Sequence, residues 1–484
     1  MPEAGSWQIG WWQNAPRAQR RTVRFAAVSA LAGLVVAAGA VSAAGPWDSG
    51  QRKAERDLAA AGRATGGERH SRPAVPAAPP VLAGLGARPA APPPTRDGLA
   101  EALEPLLKDP ALGERTSAAV VDAATGTPLY GADEGTEYTP ASTVKLATAA
   151  AALAALGPGH RIETTVVAGG DGIVLVGGGD PTLTARPDRA GPDRPASLRE
   201  LADATARALK ARGTGRTKLT YDTSRYAGPT DHPIGANENI APVTALMVDE
   251  GRLDDSDHGT ADRSTEPAAD AARTFADLLR ERGVDVEDDV SSGQAPGKAE
   301  RIAAVSSPPL SALVERTLTN SDNDIAEALA RQTALAAGAP ASFEGAAGAV
   351  TERLEKLGLP TSGIRIADGS GLDRADQVSA ELLAQLLARA ADPRHPELRP
   401  VLTGLPVAGF SGTLRGRYGS DAGGRGLVRA KTGTLTGVNT LAGTAVTSEG
   451  RLLAFAFMTS GGSAEAAQRV LDRLATAVAG CGCR

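Results

Sequence analysis

The chain has 484 residues, 51 Lys plus Arg against 56 Asp plus Glu, a formal net charge of −5, and 42% hydrophobic residues. This balance supports packed cores in about two or three domains and excludes global disorder. Mild acidity and 3% aromatic content exclude a broad phosphate-binding surface and base-stacking platforms, so no nucleic-acid partner is expected. The two cysteines, Cys481 and Cys483, lie at the extreme C-terminus, and the five histidines are scattered. Neither a disulfide framework nor a Cys- or His-built metal site is expected inside the fold.

Residues 1–24 carry Arg17, Arg20, Arg21 and Arg24 and are expected on the cytoplasmic side. They precede twenty uncharged residues, Phe25–Ala44, long enough to cross a bilayer as a helix. Val41-Ser42-Ala43 supplies small residues for cleavage, so 25–45 is expected to be either a signal peptide or an uncleaved membrane anchor. Everything downstream is then extracytoplasmic, either anchored in the cell membrane or secreted to the wall. In that compartment a Cys481–Cys483 disulfide is permitted, although the short separation strains it, and pairing with a partner is equally open. Residues 46–97 end in a Pro/Ala-rich stretch with eight prolines between Pro73 and Pro94, an extended spacer.

Folded elements are predicted from there. Leu99–Leu107 is a helix that Pro105 is expected to kink or shorten. Ser117–Asp122 and Thr127–Tyr130 form a hairpin around Ala124-Thr125-Gly126, and Ala141–Leu156 is a helix stopped by Gly157-Pro158. From 163 to 300 the pattern changes to short strands (Gly172–Val176, Lys218–Tyr221) and helices (Ser197–Arg212, Asp270–Arg282), an inserted domain. Helices resume at Pro309–Leu318, Asp324–Ala337 and Ala380–Ala391, the last capped by Ser379. Three strands, Leu427–Leu435, Thr440–Thr447 and Leu452–Met458, precede a final helix, Ala464–Ala479. Strands at both ends with helices between them predict one α/β (α+β) domain built from 98–162 and 301–484, interrupted by the smaller insert.

Three short motifs carry chemistry. Ser142-Thr143-Val144-Lys145 opens a helix, so the hydroxyl at i and the amine at i+3 share a face. A desolvated lysine can take the proton that makes serine a nucleophile. Alone, the same residues read as an N-cap and a solvated lysine. Ser321-Asp322-Asn323 lies between two helices, where it reads as a turn with a cap, or as a second hydroxyl and an amide aimed at one cleft. Lys431-Thr432-Gly433, followed by Thr434, lies on a strand. It reads as a guarded edge, or as a strand along which a peptide adds with its terminal carboxylate on Lys431.

The ordered set S-x-x-K, S-D-N and K-T-G is the signature of β-lactamases and penicillin-binding proteins. Further stretches sharpen the likeness: Gly177–Leu183, Ala241–Leu246, Ser307–Leu310, Asp368–Leu372 and Ser411–Leu414. From about 98 to 475 the chain resembles the D-alanyl-D-alanine carboxypeptidase/endopeptidase family of low-molecular-mass class C penicillin-binding proteins, peptidase family S13. Ser142 and Ser321 lie 179 positions apart, which matches the extra domain that family carries between its first two motifs. Glu134 and Glu137 lack the context of the deacylating glutamate of class A β-lactamases.

The resemblance implies a β-lactamase/transpeptidase-like domain with an antiparallel sheet and helices. It implies catalytic Ser142, Lys145 and Ser321, and substrate-binding Asn323, Lys431, Thr432, Gly433 and Thr434, with the backbone N–H groups of Ser142 and Thr434 as the oxyanion hole. It implies no metal and no cofactor. Peptidoglycan stem peptides are the expected substrate and β-lactams the expected covalent inhibitors, with the membrane a partner only if the N-terminal segment stays uncleaved. The balance of carboxypeptidase and endopeptidase action is open. The competing readings are a β-lactamase or esterase on the same scaffold and a non-catalytic cell-wall-binding module. Gly369–Leu372 is expected to be a structural turn rather than a catalytic element, and Gly177–Gly179 lacks the pattern of a dinucleotide site.

Overall fold

The computed structural model describes residues 92–187, 193–420 and 422–482. The arginine cluster, the apolar stretch at 25–45, most of the spacer and Cys483 lie outside them. Among the described residues no helix is long and apolar enough to cross a membrane.

Helix α1 (Arg96–Leu107) is capped by the Thr95 hydroxyl, which accepts from the Gly98 N–H. Pro105 sits in its last turn without shortening it, because a missing N–H there costs only one backbone bond. Strand β1 (Gly113–Asp122) turns back into β2 (Pro128–Ala132), and β3 (Glu137–Tyr138) follows. The helix predicted from Ala141 begins instead as a 3₁₀ turn, Ala141–Val144, and becomes α2 only over Lys145–Leu156. Ala141 has φ 48°, a left-handed conformation that no α-helix contains.

A second sheet then forms. Its elements are β4 (Glu163–Ala168), β5 (Gly172–Val176), helix α3 (Leu198–Ala211), β6 (Arg216–Asp222), helix α4 (Pro267–Glu281), β7 (Asp285–Val286), β8 (Ser291–Ser292) and β9 (Arg301–Ser306). The order is β7-β6-β5-β4-β9, with β8 on β6. β6 runs parallel to β5 and β7, while β4 is antiparallel to both its neighbours. Leu175, Leu201, Leu209, Phe275 and Leu279 fill the space between this sheet and its helices. The sheet ends at Ser306, beyond the boundary expected at residue 300.

The chain continues through α5 (Leu310–Asn320), α6 (Asn323–Ala337), α7 (Phe343–Lys356), β10 (Val378–Ser379), α8 (Ala380–Ala391) and α9 (Arg399–Thr403). It closes with β11 (Val428–Leu435), β12 (Val438–Val446), β13 (Leu452–Gly461) and α10 (Ala464–Gly480). Helix α7 escaped the sequence pattern because Gly345 and Gly348 dilute its helical propensity; its Ser342 cap was the available signal. Cys481, just after α10, is buried and disulfide-bonded.

The main sheet is antiparallel throughout, in the order β11-β12-β13-β1-β2, and so joins both ends of the chain. Helices cover both of its faces, which explains strands that are apolar at almost every position. On β13, Leu453, Phe455 and Phe457 meet α1 and α10, while Ala454, Ala456 and Met458 meet the opposite layer containing α2 and α8. Burying each such large side chain contributes about 1.5–3 kcal/mol. Strand β11 ends the sheet order, and the 3₁₀ turn that carries Ser142 packs along it.

Candidate active site

Two glycines let the turn and the strand meet. A Cβ on Gly433 would lie 2.6 Å from the Pro140 carbonyl oxygen, and one on Gly371, at φ 82°, would lie 2.1 Å from the Ala141 carbonyl oxygen. The turn is therefore held between β11 and the loop 367–377 at a spacing that side chains would forbid. The Thr440 hydroxyl donates to the Pro140 carbonyl at 2.7 Å and ties the turn to β12 as well.

Lys145, the first residue of α2, is completely buried. Its Nζ lies 3.0 Å from Ser142 Oγ, 2.6 Å from Asn323 Oδ1 and 2.5 Å from the Ser370 carbonyl oxygen. Burial pulls this amine down to about 8, against the opposing charges of Asp368, Asp322 and Glu327. A neutral amine has two hydrogens and one lone pair. Asn323 Oδ1 and the Ser370 carbonyl can only accept, so they take the hydrogens and leave the lone pair to the Ser142 hydroxyl. The Asn323 amide is oriented by its other end, since Nδ2 donates to the Asn239 carbonyl at 2.9 Å.

Ser321 ends α5 in the left-handed conformation, φ 60°, and Asp322 caps α6 by accepting from the Ile325 N–H. Lys431, also fully buried, donates to Ser321 Oγ at 2.9 Å and to the Thr432 carbonyl at 2.7 Å. Burial holds its amine well below the usual lysine range, and the nearby Lys145 lowers it further. The Thr432 hydroxyl donates to Thr413 Oγ1 at 2.9 Å, and Thr434 Oγ1 accepts from Gln468 Nε2 at 3.2 Å.

On β11 the Ala430 N–H bonds to the Pro406 carbonyl and the Val428 carbonyl accepts from Ala408, both away from β12. Antiparallel pairing alternates, so the amides of Thr432 and Thr434 also face that side, toward the free edge. The three motifs, remote in sequence, thus converge on one place.

Over residues 99–258 and 254–479 the sequence matches the D-Ala-D-Ala carboxypeptidase 3 (S13) family. The chain belongs to that family. It is similar to Carboxypeptidase DacB of Mycolicibacterium smegmatis, with 39% identity over 446 residues, 88% of this chain and 94% of that protein. It is similar also to the D-alanyl-D-alanine carboxypeptidase of Actinomadura sp. (strain R39), 33% identical and covering 79% and 84% of the two chains. Its fold matches the crystal structure of penicillin binding protein 4 (dacB) from Haemophilus influenzae at TM-score 0.63 and 23% identity, over 78% of this chain and 97% of the other. This S13 chain is a serine-type D-Ala-D-Ala carboxypeptidase with the expected mixed α/β fold.

Sequence reasoning left two parts of this S13 site unassigned. Ser370 contributes only its carbonyl, so the turn expected to be merely structural touches Lys145 directly. Asn239 also acts through its backbone, which no residue type announces. Behind them, the Asp368 carboxylate accepts from the N–H groups of Ser370, Gly371, Leu372 and Asp373, from the Ser370 hydroxyl and from His232 Nε2. It is held below the usual carboxylate range despite burial, because the His232 and neighbouring hydrogen bonds favour the anion. Burial, then the Asp368 charge, pushes neighbouring Asp376 up to about 10, so it is a neutral acid at ordinary pH.

Two buried groups have ligand atoms within 4.8 Å of one another: His232, Glu327 and Asp368, and Glu250, Asp322 and Asp324. In the first, N–H donors already meet the carboxylates, including Arg331 and the Gly369 N–H on Glu327. In the second, Arg252 and Arg316 pair with Glu250, and Arg263 pairs with Asp324. Arginines thus supply the counter-charge there.

Proposed function

We propose that the chain cleaves the terminal D-Ala-D-Ala bond of peptidoglycan stem peptides through an acyl-enzyme on Ser142. The observation that carries the reading is the buried Lys145 amine, 3.0 Å from Ser142 Oγ, whose other two polar contacts are acceptors, so that its neutral form turns its lone pair to Ser142. Lys145 takes the hydroxyl proton as Ser142 attacks the carbonyl. The N–H groups of Ser142 and Thr434 stabilise the oxyanion. Lys145 gives its proton back through Ser321 to the departing D-alanine amine, and water then releases the acyl group. Lys431, Thr432 and Thr434 hold the substrate carboxylate; Gly433 leaves room for the nucleophile turn, and Asn323 orients Lys145 and the acyl chain.

A β-lactam offers a strained amide to the same serine, so β-lactams are expected to acylate Ser142 and leave slowly. Residues 98–162 and 307–484 serve as the peptidase domain and 163–306, which include β9, as an inserted domain. The enzyme works outside the cytoplasm, where its substrate lies. The N-terminal residue of the mature protein distinguishes cleavage after Ala43 from an uncleaved anchor.

Incubation with a fluorescent penicillin, followed by mass mapping of the adduct, tests the proposal. Label is expected on Ser142 alone, with a long-lived adduct. No label on wild type, or equal labelling of Ser142→Ala, would reject it, and rapid turnover of nitrocefin would favour a β-lactamase or esterase. Release of D-alanine against cleavage of cross-links from defined muropeptides measures exo- against endopeptidase action.

A further inference from the structure

We propose that the segment from His232 to Ala241, contributed by the insert, clamps the surroundings of Lys145, and that His232 is a positioning residue for the acylation step. The proposal rests on Lys145 being the base. Two of the three polar neighbours of Lys145 are carbonyl-type acceptors, Asn323 Oδ1 and the Ser370 carbonyl, and this segment holds both. The Asn239 carbonyl receives Asn323 Nδ2 at 2.9 Å, which fixes which end of the amide faces Lys145. The Ala241 N–H donates to Asp324 Oδ1 at 2.9 Å, one residue further along the same helix.

His232 holds the other acceptor. Its Nδ1 accepts from the Ile234 N–H, which leaves Nε2 as the donor to Asp368 Oδ2 at 2.8 Å. The ring is 4% exposed and lies edge-on to Phe343, with centroids 5.3 Å apart. Asp368 in turn gathers the N–H groups from Ser370 to Asp373 and so sets the direction of the Ser370 carbonyl. The chain of contacts is therefore His232 to Asp368, to the 370–373 turn, to Lys145. A hydrogen-bond donor three contacts removed from a reacting group can govern its orientation without touching substrate.

The test compares full-length wild type, His232→Gln, His232→Met and Lys145→Ala in single-turnover acylation by a fluorescent penicillin. Rates are taken per labelled site across pH 6 to 10. Gln places an N–H near the position of Nε2; Met has similar size and no donor. The groups facing Lys145 are Asp368 and Asp376 from its neighbouring loop, Asp322 and Glu327 at the start of and within α6, and Lys431 from β11. Asp368 and Glu327 also face His232. None of these is altered in the two His232 variants.

His232→Met is expected to acylate roughly 10- to 100-fold more slowly per site. Its rising pH limb is expected to move to higher pH as the amine loosens toward water, while His232→Gln stays within about threefold of wild type. A purely structural role would lower the melting temperature and the fraction of labelled sites but leave rate per site and pH limb unchanged; that result overturns the proposal. So does a Gln variant as slow as Met. If the Met variant does not fold, His232→Asn, whose shorter amide falls short of Asp368, replaces it with the same expectation. Normal acylation by Lys145→Ala would defeat the base assignment itself, whereas its loss alongside an unaffected Met variant defeats only the clamp.

Discussion

Gly433 lies against Pro140, on the strand and the turn that bring Lys431 and Ser142 together. The Pro140 carbonyl oxygen would be 2.6 Å from a Cβ at 433, and the Thr440 hydroxyl only 2.1 Å. Neither can retreat freely, because Thr440 itself donates to that carbonyl. Gly433→Ala is therefore expected to push the turn that carries Ser142 off the strand. Acylation by a fluorescent penicillin should fall by about 100-fold, the order expected from a misplacement of an ångström. Circular dichroism should remain native, since the sheet core is untouched.

The buried Lys145 predicts a pH dependence with a definite sign. On the proposed mechanism its ammonium form cannot accept the Ser142 proton, so acylation requires the neutral amine. With the amine drawn down to about 8, the acylation rate should climb as pH rises through that value and fall about tenfold per unit below it. Lys145→Ala should lose roughly 100-fold or more and lack this limb. An unchanged limb in that variant would assign the titration to another group.

Lys431 predicts selectivity for a terminal carboxylate. An arriving anion restores the charge that burial disfavours on this amine. Lys431→Ala should therefore reduce kcat/KM for a peptide ending in a free carboxylate by about 30-fold or more, the worth of a hydrogen bond to a charged group. The corresponding C-terminal amide should lose far less. Equal losses for the two substrates would remove Lys431 from carboxylate binding.

Asp180 predicts a stability effect away from the site. Burial pushes its carboxyl up to about 6, although the Thr182 N–H and hydroxyl favour the anion, and its Oδ2 has no hydrogen-bond partner. The native state then holds a proton that the unfolded chain releases near its ordinary value of 3.8. This group's contribution to stability is present below about 4 and is lost as pH rises through about 6. Asp180→Asn does not ionise, so its melting temperature relative to wild type should rise between pH 4 and 6 and level off above. A constant difference across that range would contradict the assignment.

Much of the architecture was legible in the chain. The apolar runs at both ends announce strands, and the strand period of two with both faces covered accounts for their near-continuous hydrophobicity. Helices α3, α8 and α10 follow from amphipathic spacing, and Ser379 follows from its capping role. The three motifs named side chains that the fold brings together, because serine, lysine and asparagine are chemically distinctive at those spacings. The left-handed Ala141 was not legible, since alanine has no preference for that conformation and only packing between Gly433 and Gly371 imposes it.

Local spacing alone determined which hydroxyl and which amine stand together: Ser142 and Lys145 are three residues apart at the opening of one helix. Tertiary structure decided the surroundings of that pair. Complete burial of Lys145, the two acceptors that occupy its hydrogens, and the backbone of Ser370 and Asn239 come from segments more than 80 residues away. Desolvation and carbonyl direction depend on what the folded chain stacks around a group, and a residue's own identity does not encode its neighbours.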